Sequence, residues 1–292
     1  RPCEVEMKFQ VQVGVDPLNI SNLFLVVEDA DKFRIMINNQ MVVYKDIGWW
    51  KDTSFNKIDV KKFVKKGSNE IILKRRFYQS PNVYHVLFDD DVYETEKNQL
   101  TYSTELESIY LIGDFGVVTY SPFEYPEEHY SRTNEPFVIV EKPKTVKTGD
   151  LTYQGLLFFA GAITLEQNIL VQCHKDKPVL LKMRKPNAPM AKLFVNDKLV
   201  KNLLWAPYDI DITDYLIAGE NKISIQLFAS NRNLLGPHHH IAGEPYSVGP
   251  SSFVGEWSWV EKEGETQVTS DEERHKDFWQ DNYTFVRFGL KG

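Results

Sequence analysis

Apolar and polar residues alternate along this chain in short stretches, as they do in β-strands. The stretch VEMKFQVQV has an apolar side chain at every second position from Val5 to Val13. Other runs of β-branched and aromatic residues, bounded by Gly, Pro, Asn or Asp, are FRIMIN, NEIIL, SIYLIGDFGVV, NILVQC, KLFVN, KISIQLF and YTFVRFGL. Many short strands predict an all-β fold of sandwiches or barrels.

Two stretches depart from this alternation. Residues 155–163, GLLFFAGAI, form the longest apolar run. Because a membrane helix needs about 20 apolar residues, this run predicts a core strand and no membrane span. Residues 270–279, SDEERHKDFW, are the best candidate for a helix, since Ser270 can cap it together with Glu273 three residues later.

Two segments of the chain match earlier segments. Residues 36–42, MINNQMV, match residues 194–200, FVNDKLV. Residues 58–73, IDVKKFVKKGSNEIIL, match residues 210–225, IDITDYLIAGENKISI. Matches in the same order along the chain indicate an internal repeat of one structural pattern.

The local structure of each copy follows from its residues. Asn-Asn at residues 38–39 and Asn-Asp at residues 196–197 lie between apolar strands, which predicts a hairpin in each copy. Asp59 and Asp211 can cap the short turn that comes next. A glycine then reverses the chain into another strand, because glycine readily adopts a positive φ.

The second copy carries a family resemblance. FVNDKLV is followed by Trp205 and Pro207, then by YDIDITDYL, GEN and ISI. This order resembles the galactose-binding-like jelly-roll domain, a sugar-binding or ancillary module of glycoside hydrolase family 2 and its large bacterial relatives. The match covers residues 190–235, and a weaker version covers residues 33–78. The tail, residues 230–290, resembles the C-terminal ends of long bacterial rhamnosidase-like proteins.

The resemblance implies a fold and a role. The implied fold is two tandem jelly-roll β-sandwich domains. The implied role is an accessory, carbohydrate-binding region of a larger glycoside hydrolase, which braces the catalytic domain or contacts glycan. In such proteins a separate barrel carries the catalytic residues, and this chain shows no alternation of strands and helices that could build one.

The domain boundary is predicted between the two copies. Residues 120–149 are rich in Pro, Glu and Lys and poor in periodic apolar residues. We therefore expect domains at residues 1–130 and 131–292, the second with an extended C-terminal tail. The chain begins with Arg1 rather than Met and has no signal core, so we expect an excerpt or a processed product. Cytoplasmic and secreted locations both stay open.

Composition and charge restrict the partners. The chain has 292 residues, of which 42% are hydrophobic and 26% charged, as expected for folded globular domains. Its net charge of −7 argues against a nucleic-acid partner, because phosphate binding requires a basic surface. The expected partner is a glycan or the catalytic domain of the same polypeptide. We expect the two cysteines, Cys3 and Cys173, to be free.

Three consecutive histidines, His238, His239 and His240, form the most conspicuous motif. If His238 and His240 share a strand face, Glu244 could complete a three-ligand metal site, which resembles the first motif of the cupins. The second cupin motif, with a further histidine on a later strand, is missing. The favoured interpretation is an ordered loop in which the imidazoles hydrogen-bond to backbone groups or to Glu244.

A sugar pocket in the second domain is the alternative role for this region. Sugars bind to flat aromatic rings and a few polar groups at a pocket rim. The candidate carbohydrate-binding residues are Trp205, Tyr208, Asn231, Arg232, Asn233 and His238. For Arg232 an ion pair with Glu244 or Asp281, which locks the end of the domain, is favoured over ligand binding.

The remaining candidate sites have simpler interpretations. The acidic stretch FDDDVYETE, residues 88–96, could hold a structural calcium, but it lacks the spacing of a calcium loop, and a solvated loop is favoured. We expect no other cofactor. No motif for catalysis is present, so we expect no catalytic centre in this chain. Two alternatives stay open: a metal-dependent, cupin-like enzyme, and a structural or adhesive β-sandwich pair without sugar affinity.

Overall fold

A computed structural model describes residues 2–89, 91–172, 177–249, 251–254 and 279–291 of the chain. Strands dominate, which confirms the all-β prediction. The strands are β1 (Cys3–Val13), β2 (Leu23–Glu28), β3 (Arg34–Ile37), β4 (Gln40–Val42), β5 (Trp49–Trp50), β6 (Asp52–Asp59), β7 (Gly67–Phe77), β8 (Tyr110–Gly113), β9 (Phe115–Thr119), β10 (Glu124–Glu127), β11 (Tyr130–Thr133), β12 (Phe137–Glu141), β13 (Gly149–Asp150), β14 (Ala162–Val171), β15 (Leu180–Lys182), β16 (Met190–Val195), β17 (Lys198–Leu203), β18 (Asp209–Asp211), β19 (Gly219–Phe228), β20 (Tyr283–Val286) and β21 (Gly289–Leu290).

The helices of the described residues are short. They are α1 (Pro81–Phe88), α2 (Glu94–Asn98), α3 (Arg232–Leu235) and α4 (Ser251–Val254), with single 3-10 turns at Pro17–Asn19, Ala30–Lys32, Lys61–Phe63, Thr152–Gln154 and Thr213–Tyr215. Among the described residues, no helix has the length and apolar character needed to cross a membrane.

The chain divides into two compact units. The first unit comprises Arg1–Phe115 and Val138–Lys142, and the second comprises Gly116–Phe137 and Pro143–Gly292. The chain thus leaves the first unit after Phe115 and returns to it for five residues that include most of β12. The domain boundary near residue 130 stays a prediction.

The first unit contains two sheets. One includes the strands β4, β3, β7, β1 and β12 in that order, and the other has the order β5-β6-β2-β8. Strands β1 and β7 pair antiparallel along their full length, from Cys3 opposite Phe77 to Val13 opposite Gly67. Both sheets contribute buried apolar side chains, and the largest of them include Leu23, Leu25, Ile35, Ile37 and Leu73.

The described residues of the second unit form four small sheets. Their strand orders are β14-β19-β16-β17, β15-β18, β10-β11-β20 and β13-β21. Its hydrophobic core includes Leu193 and Leu227 from the largest sheet, and Leu151 from the turn after β13. Phe288 and Leu290 belong to the same core. The last residues of the chain are therefore part of the interior of the second unit.

The two segments that match in sequence have the same structure. The strand order β4-β3-β7-β1 in the first unit corresponds to β17-β16-β19-β14 in the second. The predicted hairpins are confirmed, because Asn38 and Asn39 have φ of 51° and 63°, and Asn196 and Asp197 have the same two values. Such left-handed pairs are typical of two-residue hairpin turns.

The turn that follows each hairpin is also the same in both units. As predicted, Asp59 accepts a hydrogen bond from the amide of Lys61 at 3.1 Å, and Asp211 accepts one from the amide of Thr213 at 2.9 Å. The glycine eight residues after each Asp has a φ near +100°, as its sequence position predicts. Local sequence therefore determines local geometry in both copies.

The apolar run at residues 155–163 is not the strand that its composition predicts. Gly155 and Gly161 have φ of 98° and 157°, which interrupts extended backbone, and β14 begins only at Ala162. Leu156 and Leu157 are buried within this turn. The run is apolar because it lines the interior as a loop. The helix predicted at residues 270–279 lies outside the described residues, apart from Trp279 at its end.

Candidate functional site

The three histidines form an irregular loop after α3 rather than a strand. The Nδ1 of His238 donates a hydrogen bond to the carbonyl oxygen of Thr284 at 3.3 Å, and the amide of Thr284 donates to the carbonyl of His238 at 2.8 Å. The imidazole lies near the rings of Phe158 and Phe285. Burial lowers the pKa of His238 from 6.5 to about 4, because the charged form would lose its hydration.

The other two histidines contact the residues just before β20. The ring of His239 stacks on Trp279, with 4.3 Å between centroids, and its Nδ1 donates to the carbonyl of Gln280 at 3.1 Å. His240 is buried, its Nδ1 accepts from the amide of Ala242 at 3.2 Å, and its pKa is lowered by burial. All three imidazoles thus hydrogen-bond to backbone groups, as the favoured interpretation of the motif predicts.

The predicted metal ligands do not converge in the structure. Among the described residues, two groups of three potential ligands have their ligand atoms within 4.8 Å of one another, and neither group includes His238, His240 or Glu244. The groups are His85 with Asp89 and Asp91, and Glu28 with Glu105 and Glu107. The first falls partly within the predicted calcium stretch, and all three of its side chains are exposed. Metal binding and calcium binding both stay predictions.

Arg232 has the partner that the sequence favours. Its Nε donates to Oε2 of Glu244 at 2.8 Å, and its Nη2 donates to the carbonyl of Gly243 at 3.3 Å. Burial lowers the pKa of Arg232, and the Glu244 carboxylate opposes that shift. The side-chain amide of Asn233 donates to the carbonyl oxygen of Val286 and accepts from its backbone amide, at 2.8 Å each. Arg232 therefore fixes α3 to the loop at residues 243–244, and Asn233 fixes α3 to the end of β20.

The other predicted sugar-binding residues belong to different elements of the second unit. Trp205 is 74% exposed and lies between β17 and β18. Tyr208 packs against the hydrophobic core of the second unit. Asn231 precedes α3, and its carbonyl accepts hydrogen bonds from the amides of Leu234 and Leu235. The structure therefore does not bring the six predicted residues together into one pocket.

A cleft of about 240 Å³ opens in the second unit, and we call it the Asn187 cleft. Of the six predicted residues, Asn233 lines this cleft. Its apolar lining includes Phe159 and Phe288, whose rings stack at 5.7 Å and 29°. The described residues that line it are His129, Phe159, Lys185, Pro186, Asn187, Ala188, Pro189, Ala229, Ser230, Asn233, Val286, Arg287 and Phe288.

Backbone hydrogen bonds hold the walls of the Asn187 cleft together. The amide of Asn187 donates to the carbonyl of Gly289 at 2.8 Å, and the reverse bond is 3.0 Å long. A Cβ on Gly289 would lie 2.1 Å from the carbonyl oxygen of Gly149, so only glycine fits there. The amide of Arg287 donates to the carbonyl of His129 at 2.9 Å. Three distant chain segments thus form one rigid wall.

Polar side chains at the cleft keep hydrogen-bonding capacity. Within the described residues, the side chains of Asn187 and Lys185 have no hydrogen-bond or ion-pair partner. The side-chain nitrogen and oxygen of the buried Asn233 each make one hydrogen bond, to Val286, and each has the capacity for a second. The cleft therefore combines an apolar surface with donors and acceptors that a ligand can use.

The sequence gives little indication of the Asn187 cleft. Its lining comes from five separate places in the chain, around residues 129, 159, 187, 230 and 287. None of these places has a recognised binding motif. The one local signal is the KPNAP stretch at residues 185–189, where two prolines flank a polar residue in a rigid loop.

Comparisons with known proteins give distant similarities. No protein-family model matches the sequence, and no curated protein matches it. Among solved structures, the chain is similar to an α-L-rhamnosidase from Streptomyces avermitilis complexed with L-rhamnose, with 10% identity over 77% of this chain and 22% of that one, and a TM-score of 0.26. A rhamnosidase from Novosphingobium sp. PP1Y is 15% identical over 80% of this chain and 18% of that one, with a TM-score of 0.25.

A third similar structure is a β-D-mannosidase from Dictyoglomus thermophilum, with 13% identity, a TM-score of 0.25, and coverage of 78% of this chain and 24% of that one. The chain thus spans about a quarter or less of the length of these enzymes. At such TM-scores no residue's role carries over from them to this chain. Functional conclusions rest on the geometry of the second unit.

Proposed function

We propose that this chain is a non-catalytic accessory region of a larger carbohydrate-active enzyme, and that it contacts glycan through the Asn187 cleft. The observation that supports this proposal is the lining of the cleft. The half-buried ring of Phe159, stacked on the buried ring of Phe288, provides apolar surface, and the side-chain amides of Asn187 and the buried Asn233 lie at the same cleft. Proteins bind sugars with this combination, because a sugar ring has apolar faces and hydroxyl groups around its edge.

The size of the cleft favours a single sugar unit. Pockets for drug-sized ligands have volumes of roughly 300–1,000 Å³. The Asn187 cleft, at about 240 Å³, lies just below that range. One pyranose ring is smaller than a typical drug molecule, so the cleft suits the end or the side group of a glycan chain.

Two of the predicted residues that do not line the cleft, Arg232 and His238, support it from behind. Arg232 fixes the loop at Glu244, and His238 holds the strand β20 through Thr284. Since β20 ends at Val286 and Arg287 follows, these contacts position one wall of the cleft. We propose that the histidine loop acts in this way as a brace for the cleft.

We also propose that the two units are two jelly-roll modules of one kind, joined near residue 130. Their common strand order and their identical turn geometry support this view. The lining of the Asn187 cleft includes residues 185–189 and 286–288, which lie outside the segments that match the first unit. Glycan contact is therefore assigned to the second module alone.

The proposal predicts glycan binding that depends on Asn187. A glycan array with the intact chain should show binding, and calorimetry with the best glycan should show affinity about tenfold weaker for Asn187→Ala, since one hydrogen bond to a sugar is lost. The fold should be unaffected, because the hydrogen bonds of Asn187 to other described residues involve only its backbone groups.

Asn202→Ala is the matched control, because Asn202 is an exposed asparagine on β17 outside the cleft. It should bind glycan as the wild type does. A blank array would overturn glycan contact, and equal binding by the Asn187 and Asn202 variants would place the contact elsewhere, with exposed Trp205 as the next residue to substitute.

A further inference from the structure

We propose that the Asn187 cleft selects sugars that carry a carboxylate, so that the glycan is a uronic acid or contains one. This inference rests on the proposed function, since it specifies the ligand of the same cleft. The observation behind it is the sign of the charges that line the cleft. Among the described residues that line the cleft, Lys185 and Arg287 carry positive charge, and none is Asp or Glu.

The absence of acids from this lining runs against the composition of the chain. Asp and Glu number 41, and Lys and Arg number 34. A surface region with the average composition of the chain would therefore contain more acidic than basic residues. A cleft whose described lining carries cations attracts anions locally, even in a protein of negative net charge.

Lys185 is the cation best placed to bind a ligand. It is exposed, and within the described residues its ammonium group has no ion-pair partner. Pro186 follows it directly, and Asn187 is fastened to Gly289, so the backbone beside Lys185 is fixed. The flexible side chain of Lys185 can therefore bind a carboxylate without a rearrangement of the loop backbone.

Arg287 contributes a second cation, which is held in place by its own contacts. Its Nη1 donates to the carbonyl of Glu128 at 3.1 Å, and its guanidinium lies over the ring of Tyr125 at 5.4 Å. Its Nε lies 3.4 Å from Oδ2 of Asp150 without a hydrogen bond. Asp150 is fully buried and does not line the cleft, so it holds Arg287 from below without repelling a ligand.

The two cations therefore have different roles. The buried carboxylate of Asp150 partly neutralises Arg287, whose guanidinium positions a ligand by directed hydrogen bonds. Within the described part of the chain, the charge of Lys185 has no such counter-ion, so the preference for an acidic sugar over a neutral one depends chiefly on Lys185. The remaining edge of the sugar would contact Asn187 and Asn233.

The test compares matched acidic and neutral sugars. The intact chain, labelled with ¹⁵N, is titrated with D-galacturonate and D-galactose, with D-glucuronate and D-glucose, and with acetate, while amide signals are followed by NMR. We expect one uronate to bind about tenfold more tightly than its neutral partner, since a charge-assisted hydrogen bond distinguishes them. We expect Lys185→Gln to remove this difference, because it weakens binding of the uronate more than binding of the neutral sugar.

Lys182→Gln is the matched control, because Lys182 is an exposed lysine of β15 outside the cleft and the same charge is lost. It should retain the preference, and 1 M salt should reduce it in the wild type, because salt screens exposed charges.

The outcomes separate this inference from the proposed function. If a neutral sugar binds as tightly as its uronate, or if Lys185→Gln keeps the preference, the inference is wrong and glycan contact stands. If no sugar of either kind binds, both are wrong. If acetate binds as tightly as the uronate, the cleft recognises the carboxylate alone, which also overturns a sugar ligand.

Discussion

His238 shows how one buried side chain can connect the histidine loop to the C-terminal strand. The carbonyl oxygen of Thr284 can only accept a hydrogen bond, so the Nδ1 of His238 carries a proton in the neutral ring. The surrounding rings are Phe158, Tyr283 and Phe285. This environment excludes water from the imidazole, and a second proton would leave a poorly solvated charge.

We expect this protonation to make the second unit sensitive to acid. The pKa of His238 is about 4 in the folded protein, and its usual value is 6.5. Between these values the unfolded chain binds more protons than the folded one, so stability falls as the pH falls from 6.5 towards 4. The loss should reach up to about 3 kcal/mol, at about 1.4 kcal/mol per pKa unit.

Urea unfolding at pH 7 and at pH 4 measures this loss. His238→Gln should lose less stability than the wild type between the two values, because glutamine does not titrate. His85→Gln is the control, since His85 is exposed and Asp89 raises its pKa instead. Equal acid sensitivity in the wild type and His238→Gln would contradict the expectation.

At the scale of elements, two buried asparagines stabilise the equivalent turns. Asn69 accepts hydrogen bonds from the amide of Lys65 and the side chain of Asn38, both at 2.8 Å, and its amide donates to two carbonyls of the same turn. Asn221 makes the same four bonds in the second unit, with Ile217, Gly219 and Asn196 as partners. Each asparagine thus forms three hydrogen bonds to backbone groups of its tight turn.

Asn69→Ala and Asn221→Ala should each lower the free energy of unfolding of their own unit by about 2–4 kcal/mol, because buried backbone groups lose their partners. Since the bonds are the same, the two losses should be roughly equal. Chemical denaturation, followed separately for each unit by NMR, measures both. Asn202→Ala, on an exposed strand position, should have little effect. If only one variant lowered the free energy of unfolding of its unit, the two turns would not contribute equally to stability.

These turns were the most predictable part of the structure. The hairpin asparagines, the capping Asp59 and Asp211, and the glycine after each of them all depend on neighbours close in sequence, and the structure confirms their local geometry. Helix α1 was not predicted, although Ser80 and Pro81 form a common helix start. Its apolar residues form too short a stripe to stand out, with Val83 and Val86 buried.

At the scale of the whole molecule, the cleft could not be predicted, because long-range pairing creates it. The ion pair of Arg232 with Glu244 was foreseeable, since twelve residues separate the two. The meeting of Asn187 with Gly289 depends on how the C-terminal strands return to the core. No pattern of residue types within one segment encodes that return.

The same long-range assembly gives the cleft a thermodynamic consequence. Its lining extends from His129 to Phe288, so the binding site exists only when the second unit is folded. A ligand that binds only the folded form adds stability, about 2.7 kcal/mol when its concentration is one hundred times its dissociation constant. Hydrogen exchange of the core amides of Leu193 and Leu227 should slow by about two powers of ten at that concentration.

A melting-temperature screen can therefore find the ligand without any enzymatic assay. Sugars that fit the cleft should raise the unfolding temperature of the second unit in proportion to the logarithm of their concentration. Asn187→Ala should reduce the rise at a given concentration. If a glycan binds and hydrogen exchange of the core amides does not slow, the glycan does not bind preferentially to the folded second unit. Such a result would exclude binding in this cleft. Because distant segments form the cleft, ligand binding to it should raise the unfolding temperature of the second unit.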